Sequence, residues 1–517
     1  MRKFNIAGNC VKTKHYMVDI SNKLKKIKRM VDDGDYFTIN RARQYGKTTT
    51  LYSLREMLND EYMCLKISFE GIGCEDFVSS EAFCQRLLQL LDNETVSEYK
   101  QSIWLNANIN SFGDLSSHIS EVCKGRKIVI LIDEVDKSSN NQIFLHFLGV
   151  LRSKYLARTG NGSDTFHSVI LAGVNDIKNI KQNMIAHGTH TISDGEKIHN
   201  SPWNIAADFE VDMSFSPQEI ETLLSDYESE HSMGMNIPAI AREIHNWTDG
   251  YPFLVSCICK TIDEKLDADW RINSIQNAVK IILKKNNTLF QDIFKNLENN
   301  PEFSKFMYSL LIQGNSYSFN IDTPLVSLGA MYGILKDKDG RTAVSNKIFE
   351  TRIAEYFIEK EKQRRGIIET VIQDDVVKNG RFDMETCLRK FAQHYYEMFK
   401  DSNISFLEEH GTLLFLTYLR PLINGSGFFH LETETRNSRR MDVIVDYGKE
   451  QFIIELKIWR GPQYKEESYD QLLDYMNSKN AATGYLITFD FRKESNKQRQ
   501  AEWLEFDGVK RIFDVMV

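Results

Sequence analysis

Long hydrophobic runs are missing from this sequence. No apolar stretch approaches the roughly 18 residues that a membrane-spanning helix needs, and the first residues lead into mixed polar sequence without a secretory apolar segment. We therefore expect no membrane span and a cytoplasmic location.

An excess of positive charge is also missing. The 64 Lys and Arg residues and the 72 Asp and Glu residues give a formal net charge of −8. A histone-like cationic coat is excluded, so any contact with nucleic acid must come from local basic patches.

Cysteines are few, with eight among 517 residues, and they are scattered along the chain. Cys257 and Cys259 have no second pair that would complete a zinc site. We expect reduced, structural thiols rather than disulfides or a metal centre.

The residues that are present form an ordinary globular composition, with 42% apolar and 26% charged residues. The length predicts about three or four domains, and the absence of fixed-period repeats and low-complexity tracts argues against solenoids and coiled coils. A charged stretch at 359–366 marks one boundary. The predicted domains are a core at 1–214, a helical lid at 215–300, a winged-helix-like segment at 301–360 and a last α/β unit at 375–517.

Four short apolar runs alternate with helical patterns in the first 210 residues, at 36–39, 64–67, 128–132 and 169–172. Such alternation is typical of a parallel sheet flanked by helices. The predicted fold class is therefore α/β, built on a parallel sheet.

Between residues 302 and 358 the pattern indicates helices followed by a β-hairpin. A turn at 337–340, Asp-Lys-Asp-Gly, separates short strand patterns at 332–335 and 342–344. The helix expected near 325–330 carries no Lys or Arg, so we assign it a structural role rather than base reading.

The segment 41–48, Arg-Ala-Arg-Gln-Tyr-Gly-Lys-Thr, follows the first apolar run and opens a helical pattern with leucines on one face. This is the context of a phosphate-binding loop. Backbone N–H groups would cradle phosphate oxygens, Lys47 would reach the β- and γ-phosphates, and the Thr48 hydroxyl would coordinate Mg²⁺. Gly46 would allow close approach of the backbone, whereas Arg41 stands where such loops usually have their first glycine.

The apolar run at 128–132 delivers Asp133 and Glu134 to its carboxyl end, where α/β sheets bind ligands. Asp133 would hold Mg²⁺ through water, and Glu134 would polarise the attacking water. The alternative is a plain turn at 46–48 with two acids that cap the next helix, but two matching halves in the right order favour a nucleotide site. Asn175 is a candidate γ-phosphate sensor and equally well an ordinary turn residue.

The turn at 249–252, Asp-Gly-Tyr-Pro, is open to two interpretations. It would lie near the nucleotide, or it would simply connect two helices of the lid.

At these segments the chain resembles the bacterial and archaeal AAA-ATPase-like family. Its members typically carry Tyr-Val-Asp-Lys-Thr, similar to Tyr-Met-Val-Asp at 16–19, and an Arg-Pro-Arg-Arg-Phe-Gly-Lys-Ser/Thr loop. The residues that match this loop are Arg41, Arg43, Gly46, Lys47 and Thr48. The resemblance implies ATP and Mg²⁺ as cofactors and places both arginines in the nucleotide loop, although Ala42, Gln44 and Tyr45 depart from the family pattern.

The last unit contains two strand patterns that a tight turn at 446–449 joins, which would bring Asp442 and Glu455 together. Because side chains alternate along a strand, Glu455 and Lys457 would share one face. Two carboxylates about 4 Å apart repel by roughly 4 kcal/mol at an effective dielectric of 20, and Mg²⁺ held by both would remove that conflict. Lys457 would then orient the attacking water in phosphodiester hydrolysis. The alternative is a hairpin with surface ion pairs, worth about 0–1 kcal/mol.

This set resembles the PD-(D/E)XK phosphodiesterase superfamily, in which a helix Glu, a strand Asp, a Glu-x-Lys and a later helix Gln surround one metal site. The resemblance adds Gln471 and an upstream acid, Glu409 or Glu408, to the candidate residues. Met441 stands in the place of the Pro. The AAA-ATPase-like family often ends in such a domain, so the two resemblances support each other.

We therefore expect an ATPase whose nucleotide state governs Mg²⁺-dependent hydrolysis of nucleic acid, with DNA favoured over RNA as partner. A signalling or scaffold protein whose last domain binds nucleic acid without cutting it is the alternative. AAA relatives often assemble into rings, which makes a homo-oligomer a further expectation.

Overall fold

The computed structural model describes residues 2–517 except 106–107, 139–141, 175–202, 314, 366–375, 379, 400–403, 424–426, 433–441, 449 and 491–500. The chain forms two units: the first comprises Met1–Ala278 and Met331–Gly333, and the second comprises Val279–Ala330 and Ile334–Val517. The four predicted domains subdivide the chain differently, and their boundaries stay predictions.

The first unit has the predicted α/β fold. Its strands are β1 (Tyr36–Asn40), β2 (Met63–Ser68), β3 (Ile128–Asp133) and β4 (Ser168–Gly173). Its helices are α1 (Ser21–Asp32), α2 (Lys47–Leu58), α3 (Ser80–Tyr99), α4 (Phe112–Cys123), α5 (Gln142–Asn161), α6 (Pro217–His231), α7 (Ile237–Thr248), α8 (Pro252–Lys265) and α9 (Ile272–Lys284), the last of which runs into the second unit. The limits of all four strands agree with the apolar runs to within one residue.

The strands of the first unit form a parallel sheet in the order β1-β4-β3-β2. All six residues of β3 are buried, as expected for a sheet that helices cover on both faces. Leu51 and Leu54 of α2 pack on one face, and Leu87 and Phe147 pack on the other. Because the strands are parallel, their carboxyl ends lie at one edge, which gathers the loop after β1 and the acids after β3.

Helix α6 shows how the sequence begins a helix in the region predicted to form the lid. The Ser216 hydroxyl accepts from the Glu219 backbone N–H at 3.2 Å, and the Glu219 carboxylate accepts from the Ser216 N–H at 2.8 Å. Pro217 occupies the first helical position, where a missing N–H costs nothing. The predicted helical character of this region is confirmed by α6 to α9.

The turn between α7 and α8 needs a glycine. Gly250 has a φ of +70°, and a Cβ there would lie 2.1 Å from the Phe215 carbonyl oxygen. We expect Gly250→Ala to lower the free energy of unfolding by about 2–4 kcal/mol in urea denaturation, because left-handed strain and a backbone clash add. Gly234→Ala is the matched control, since Gly234 has a φ of +72° and no atom within 4 Å of such a Cβ. Equal losses in both variants would show that the contact with Phe215 is unimportant.

The second unit combines helices, two small hairpins and a larger sheet. Its helices are α10 (Thr288–Asn299), α11 (Pro301–Leu311), α12 (Pro324–Met331), whose last residue belongs to the first unit, α13 (Lys347–Arg365), α14 (Met384–Phe399), α15 (Ile404–Ile423) and α16 (Pro462–Ser478). Its strands are β5 (Leu335–Lys338), β6 (Arg341–Val344), β7 (Val377–Lys378), β8 (Arg381–Phe382), β9 (Gly427–Glu432), β10 (Asp442–Tyr447), β11 (Glu450–Ile458), β12 (Thr483–Phe489), β13 (Ala501–Phe506) and β14 (Lys510–Met516).

One local prediction was wrong. The first strand of the β5–β6 hairpin begins at Leu335 instead of residue 332, because Gly333 adopts a φ of +68° that an extended strand does not accommodate. Most of the charged stretch at 359–366 lies within α13, which continues to Arg365, and the domain boundary expected there stays a prediction. Buried Phe357 and Ile358 anchor α13 where that stretch begins.

The larger sheet has the strand order β13-β14-β12-β11-β10-β9 and is mixed. Strands β9, β10 and β11 pair antiparallel, whereas β11, β12 and β14 pair parallel. Leu472 and Met476 of α16 pack against Ile453 and Leu486 on one face. On the other face, Gly411 of α15 lies against the ring of Phe489.

His430 on β9 is a buried imidazole at 5% exposure. Burial, together with the positive charges of Lys347 and Lys479, lowers its pKa to about 3, and Asp446 Oδ2 lies 3.5 Å from its Nδ1. Because the unfolded chain binds a proton here below about pH 6.5, stability present above that pH is lost at about 1.4 kcal/mol per unit as the pH falls toward 3.

Denaturation at pH 7.5 and 4.5 tests this expectation. His430→Gln should lose less stability between the two pH values than the wild type, whereas a variant of the exposed His146, His146→Gln, should keep the wild-type slope. Identical slopes for the wild type and His430→Gln would contradict the assignment.

Across the described residues, every helix is too short or too polar to cross a lipid bilayer.

Candidate nucleotide and nuclease sites

The loop between β1 and α2 has the geometry of a phosphate-binding loop. Gly46 precedes α2 with a φ of +77°, and no side chain caps the helix, so the first N–H groups of α2 point out of the helix end. Lys47 is 8% exposed, and its Nζ donates to the carbonyl oxygens of Arg41 at 2.9 Å and Ala42 at 3.0 Å. The ammonium is thus held inside the loop, where a phosphate oxygen is a stronger acceptor than a carbonyl.

The carboxylates after β3 lie near this lysine. Burial lowers the pKa of Lys47, and the charges of Asp136, Glu134 and Asp133 oppose that shift. Asp133 is 2% exposed, its Oδ1 accepts from the Glu134 N–H at 3.1 Å, and Lys66 Nζ lies 3.7 Å from its Oδ2. Burial and the neighbouring charge of Asp133 raise the pKa of Glu134. The two halves of the predicted nucleotide site therefore meet at one edge of the sheet.

A second polar centre lies on the larger sheet of the second unit. Asp442 and Glu455 are register partners on β10 and β11, as the turn length predicted. Glu455 and Lys457 are 2% and 6% exposed. Lys457 Nζ lies 2.8 Å from Glu455 Oε1 and donates to Gln471 Oε1 on α16 at 3.3 Å.

This burial excludes the alternative of a surface ion-pair ladder. A buried ion pair is costly to desolvate and rarely the most stable choice for a sheet interior. A fixed carboxylate, ammonium and amide in one place are instead typical of a site that binds charge. Three of the candidate residues, Glu455, Lys457 and Gln471, are thus brought together.

Two family models match the chain. Residues 9–358, more than half of the chain, match the AAA-like domain family. The chain belongs to the AAA-like domain family. Residues 428–500 of this AAA-like protein match the PD-(D/E)XK nuclease superfamily. No curated protein matches the sequence.

Solved structures similar to this AAA-like protein share little sequence with it. The Walker-type ATPase of Pyrococcus abyssi is 12% identical with a TM-score of 0.48, and the match covers 68% of this chain and 99% of that chain. The ORC2 protein of Aeropyrum pernix, in its ADPNP–ADP complexes, is 10% identical with a TM-score of 0.40, over 67% and 94% of the two chains. Drosophila ORC bound to GC-rich DNA and Cdc6 is 12% identical with a TM-score of 0.27, over 56% and 43%.

In this AAA-like protein the arginines of the loop have different surroundings. Arg41 donates from Nη1 to the Asn40 carbonyl at 2.7 Å and from Nη2 to the Val211 carbonyl at 2.8 Å, and its guanidinium lies over the Phe209 ring at 5.3 Å. Arg41 therefore ties the loop to the chain near residue 211, and its predicted contact with nucleotide stays a prediction. The Arg43 side chain is exposed. Thr48 is half-buried beside Lys47.

The turn at 249–252 lies beside the nucleotide loop. The Tyr251 hydroxyl donates to the Arg43 carbonyl at 2.5 Å, and the Tyr45 and Tyr251 rings meet edge to face at 4.7 Å. The turn thus connects α7 and α8 and also contacts the loop, and its closeness to bound nucleotide stays a prediction.

Sequence reasoning missed Asp136. Its Oδ2 accepts from the Val174 N–H at 2.6 Å, and a Cβ on Gly173 would lie 2.7 Å from its Oδ1. Asp136 thus joins the chain after β3 to the end of β4, close to Lys47. The only feature of the sequence that points to Asp136 is its position three residues after Asp133.

Three candidate residues are not fully described. Asn175 is not described at all, and Asp442 and Glu409 are placed only by backbone, at the start of β10 and within α15. Among the side chains that are described, no three His, Cys, Asp or Glu form a ready metal-binding group.

Proposed function

We propose that this AAA-like protein binds and hydrolyses ATP in its first unit and hydrolyses phosphodiester bonds of nucleic acid, preferably DNA, in its second. We further propose that the nucleotide state governs cleavage, that the protein acts in the cytoplasm, and that copies associate as a homo-oligomer. The observation that carries the nuclease proposal is the buried contact of Lys457 with both Glu455 and Gln471.

The ATP half of the proposal follows from charge and position. Lys47 and the N-terminus of α2 supply positive potential for the phosphates. Asp133 and Glu134 place two carboxyl groups at the carboxyl end of β3, near Lys47. Glu134 would accept a proton from the attacking water, and burial and the charge of Asp133 raise its pKa, which makes its carboxylate a stronger base. Asn175 remains a proposed γ-phosphate sensor.

The nuclease half depends on how Lys457 is held. Glu455 and Gln471 fix the ammonium from two directions, so that it enters the reaction already oriented. In that position it would stabilise negative charge that develops on the phosphate, or orient the attacking water. Glu409 is the proposed upstream acid.

Magnesium fits both centres by the chemistry of the donors, since carboxylate and hydroxyl oxygens are its preferred ligands. Thr48 and Asp133 would hold the ion with ATP, and Asp442 and Glu455 would hold the other. A bound Mg²⁺ neutralises phosphate charge and makes a coordinated water more acidic.

The proposal is tested with the full chain, supercoiled plasmid and a single RNA transcript, each incubated with Mg²⁺ or with EDTA. We expect plasmid cleavage that requires Mg²⁺, that is faster than RNA cleavage and that changes when ATP is added. Binding without cleavage in every condition would favour a signalling or scaffold protein instead.

A further inference from the structure

Thr488 lies beside the lysine of the second centre. In the parallel pairing of β11 with β12, Thr488 is the register partner of Lys457. Side chains of register partners leave the sheet on the same face. Leu486, two residues earlier on β12, packs against α16, so Thr488 faces the same side as Lys457 and Gln471.

The Thr488 hydroxyl is buried without a described partner. The residue is 3% exposed, and within the described part of the chain its Oγ1 makes no hydrogen bond. Burying an unpaired hydroxyl is unfavourable, and valine would fill the same space without that cost. The buried Thr417 of the same unit shows the usual solution, because its hydroxyl donates to the Leu413 carbonyl at 2.6 Å.

The position of the hydroxyl indicates what it would bind. Neighbouring strands lie about 4.8 Å apart, so Thr488 is within reach of a group that Lys457 contacts. An ammonium has three N–H donors; among the described groups one of them is donated to Gln471 Oε1, and Glu455 Oε1 lies 2.8 Å from Nζ as the ion-pair partner. Strand β11 lies between β10, which carries Asp442, and β12, which carries Thr488. A metal between Asp442 and Glu455 would therefore be one strand further from Thr488. The Thr488 hydroxyl is therefore badly placed to bind that metal, and it is well placed to donate to an anionic oxygen next to Lys457.

We propose that Thr488 is a substrate-binding residue whose hydroxyl donates to a non-bridging oxygen of the scissile phosphate, next to Lys457. This inference deepens the proposed nuclease function and rests on it. It also explains why β12 carries a hydroxyl at a position that packing alone would give to valine.

The test compares Thr488→Val, Thr488→Ser and Thr417→Val in the full chain. A hydrogen bond to a charged oxygen predicts a roughly tenfold or greater loss of plasmid cleavage for Thr488→Val, with a thermal midpoint no lower than that of the wild type. Thr488→Ser should keep most of the cleavage. Thr417→Val should lower the thermal midpoint and leave cleavage unchanged. Wild-type cleavage by Thr488→Val would overturn the proposal.

A binding measurement separates this inference from the proposed function. If the wild type does not cleave, the nuclease proposal fails, and binding of a duplex oligonucleotide in Ca²⁺ decides the role of Thr488. Roughly tenfold weaker binding by Thr488→Val than by the wild type would support the phosphate contact. Equal binding by the two proteins, or no binding by either, would overturn it.

Discussion

Replacing Lys47 by alanine is expected to abolish ATP binding. The ammonium lies inside the loop, where it would pair with phosphate in a largely desolvated place. Removal of one partner of such a pair costs about 2–5 kcal/mol, or roughly 30- to several-thousand-fold in affinity. Titration of a fluorescent ATP analogue, with ATP hydrolysis measured in parallel, checks this result.

The control for this variant is Lys154→Ala. Lys154 is another buried lysine of the first unit, at 6% exposure, and it contacts Ser120. This control should lose stability and keep ATP affinity.

Glu134→Gln should bind ATP and fail to hydrolyse it, since it keeps the shape of the site and loses the base. Normal ATP turnover by both Lys47→Ala and Glu134→Gln would remove the ATPase assignment.

Replacing Lys457 by alanine is expected to abolish cleavage of nucleic acid. Loss of a group that stabilises charge or orients water in the reaction lowers rates by about 10²–10³-fold. The variant leaves Glu455 as a buried carboxylate without its ammonium, so we also expect a loss of about 3–5 kcal/mol in unfolding free energy. Plasmid cleavage is therefore compared at a temperature where circular dichroism shows that both proteins are folded.

An exposed lysine of the same unit provides the control. Lys378 is 3.4 Å from Asp383 at the surface, so Lys378→Ala should keep both cleavage and stability. Gln471→Leu should reduce cleavage less than Lys457→Ala, because Gln471 acts through the lysine. Equal cleavage by the wild type and Lys457→Ala would contradict the nuclease assignment.

The sequence predicted the strands and the second centre because the signals are local. Apolar runs bounded by polar residues set the limits of β1 to β4, and the tight turn after β10 set the register of Asp442 with Glu455. Alternation along β11 then placed Glu455 and Lys457 on one face. The helix that follows brought Gln471 to the lysine, as the resemblance to the PD-(D/E)XK superfamily implied.

Other features depend on contacts that no local pattern contains. The order β1-β4-β3-β2 places β4 between strands that precede it in the chain, and the hydrogen bond from Tyr251 to the Arg43 carbonyl joins residues 208 positions apart. The hydrogen bond from Arg41 to the Val211 carbonyl could not be predicted for the same reason. The start of β5 was misplaced because Gly333 adopts a left-handed conformation that its neighbours do not signal.

The claim that Glu455 helps to hold a divalent ion for phosphodiester hydrolysis is tested most directly by the Mg²⁺ dependence of plasmid nicking. Initial rates are measured for the wild type and Glu455→Gln over a wide range of Mg²⁺ concentrations with both proteins folded. We predict a saturating curve for the wild type, and for Glu455→Gln no nicking or a much higher Mg²⁺ requirement. Superimposable curves would contradict the account.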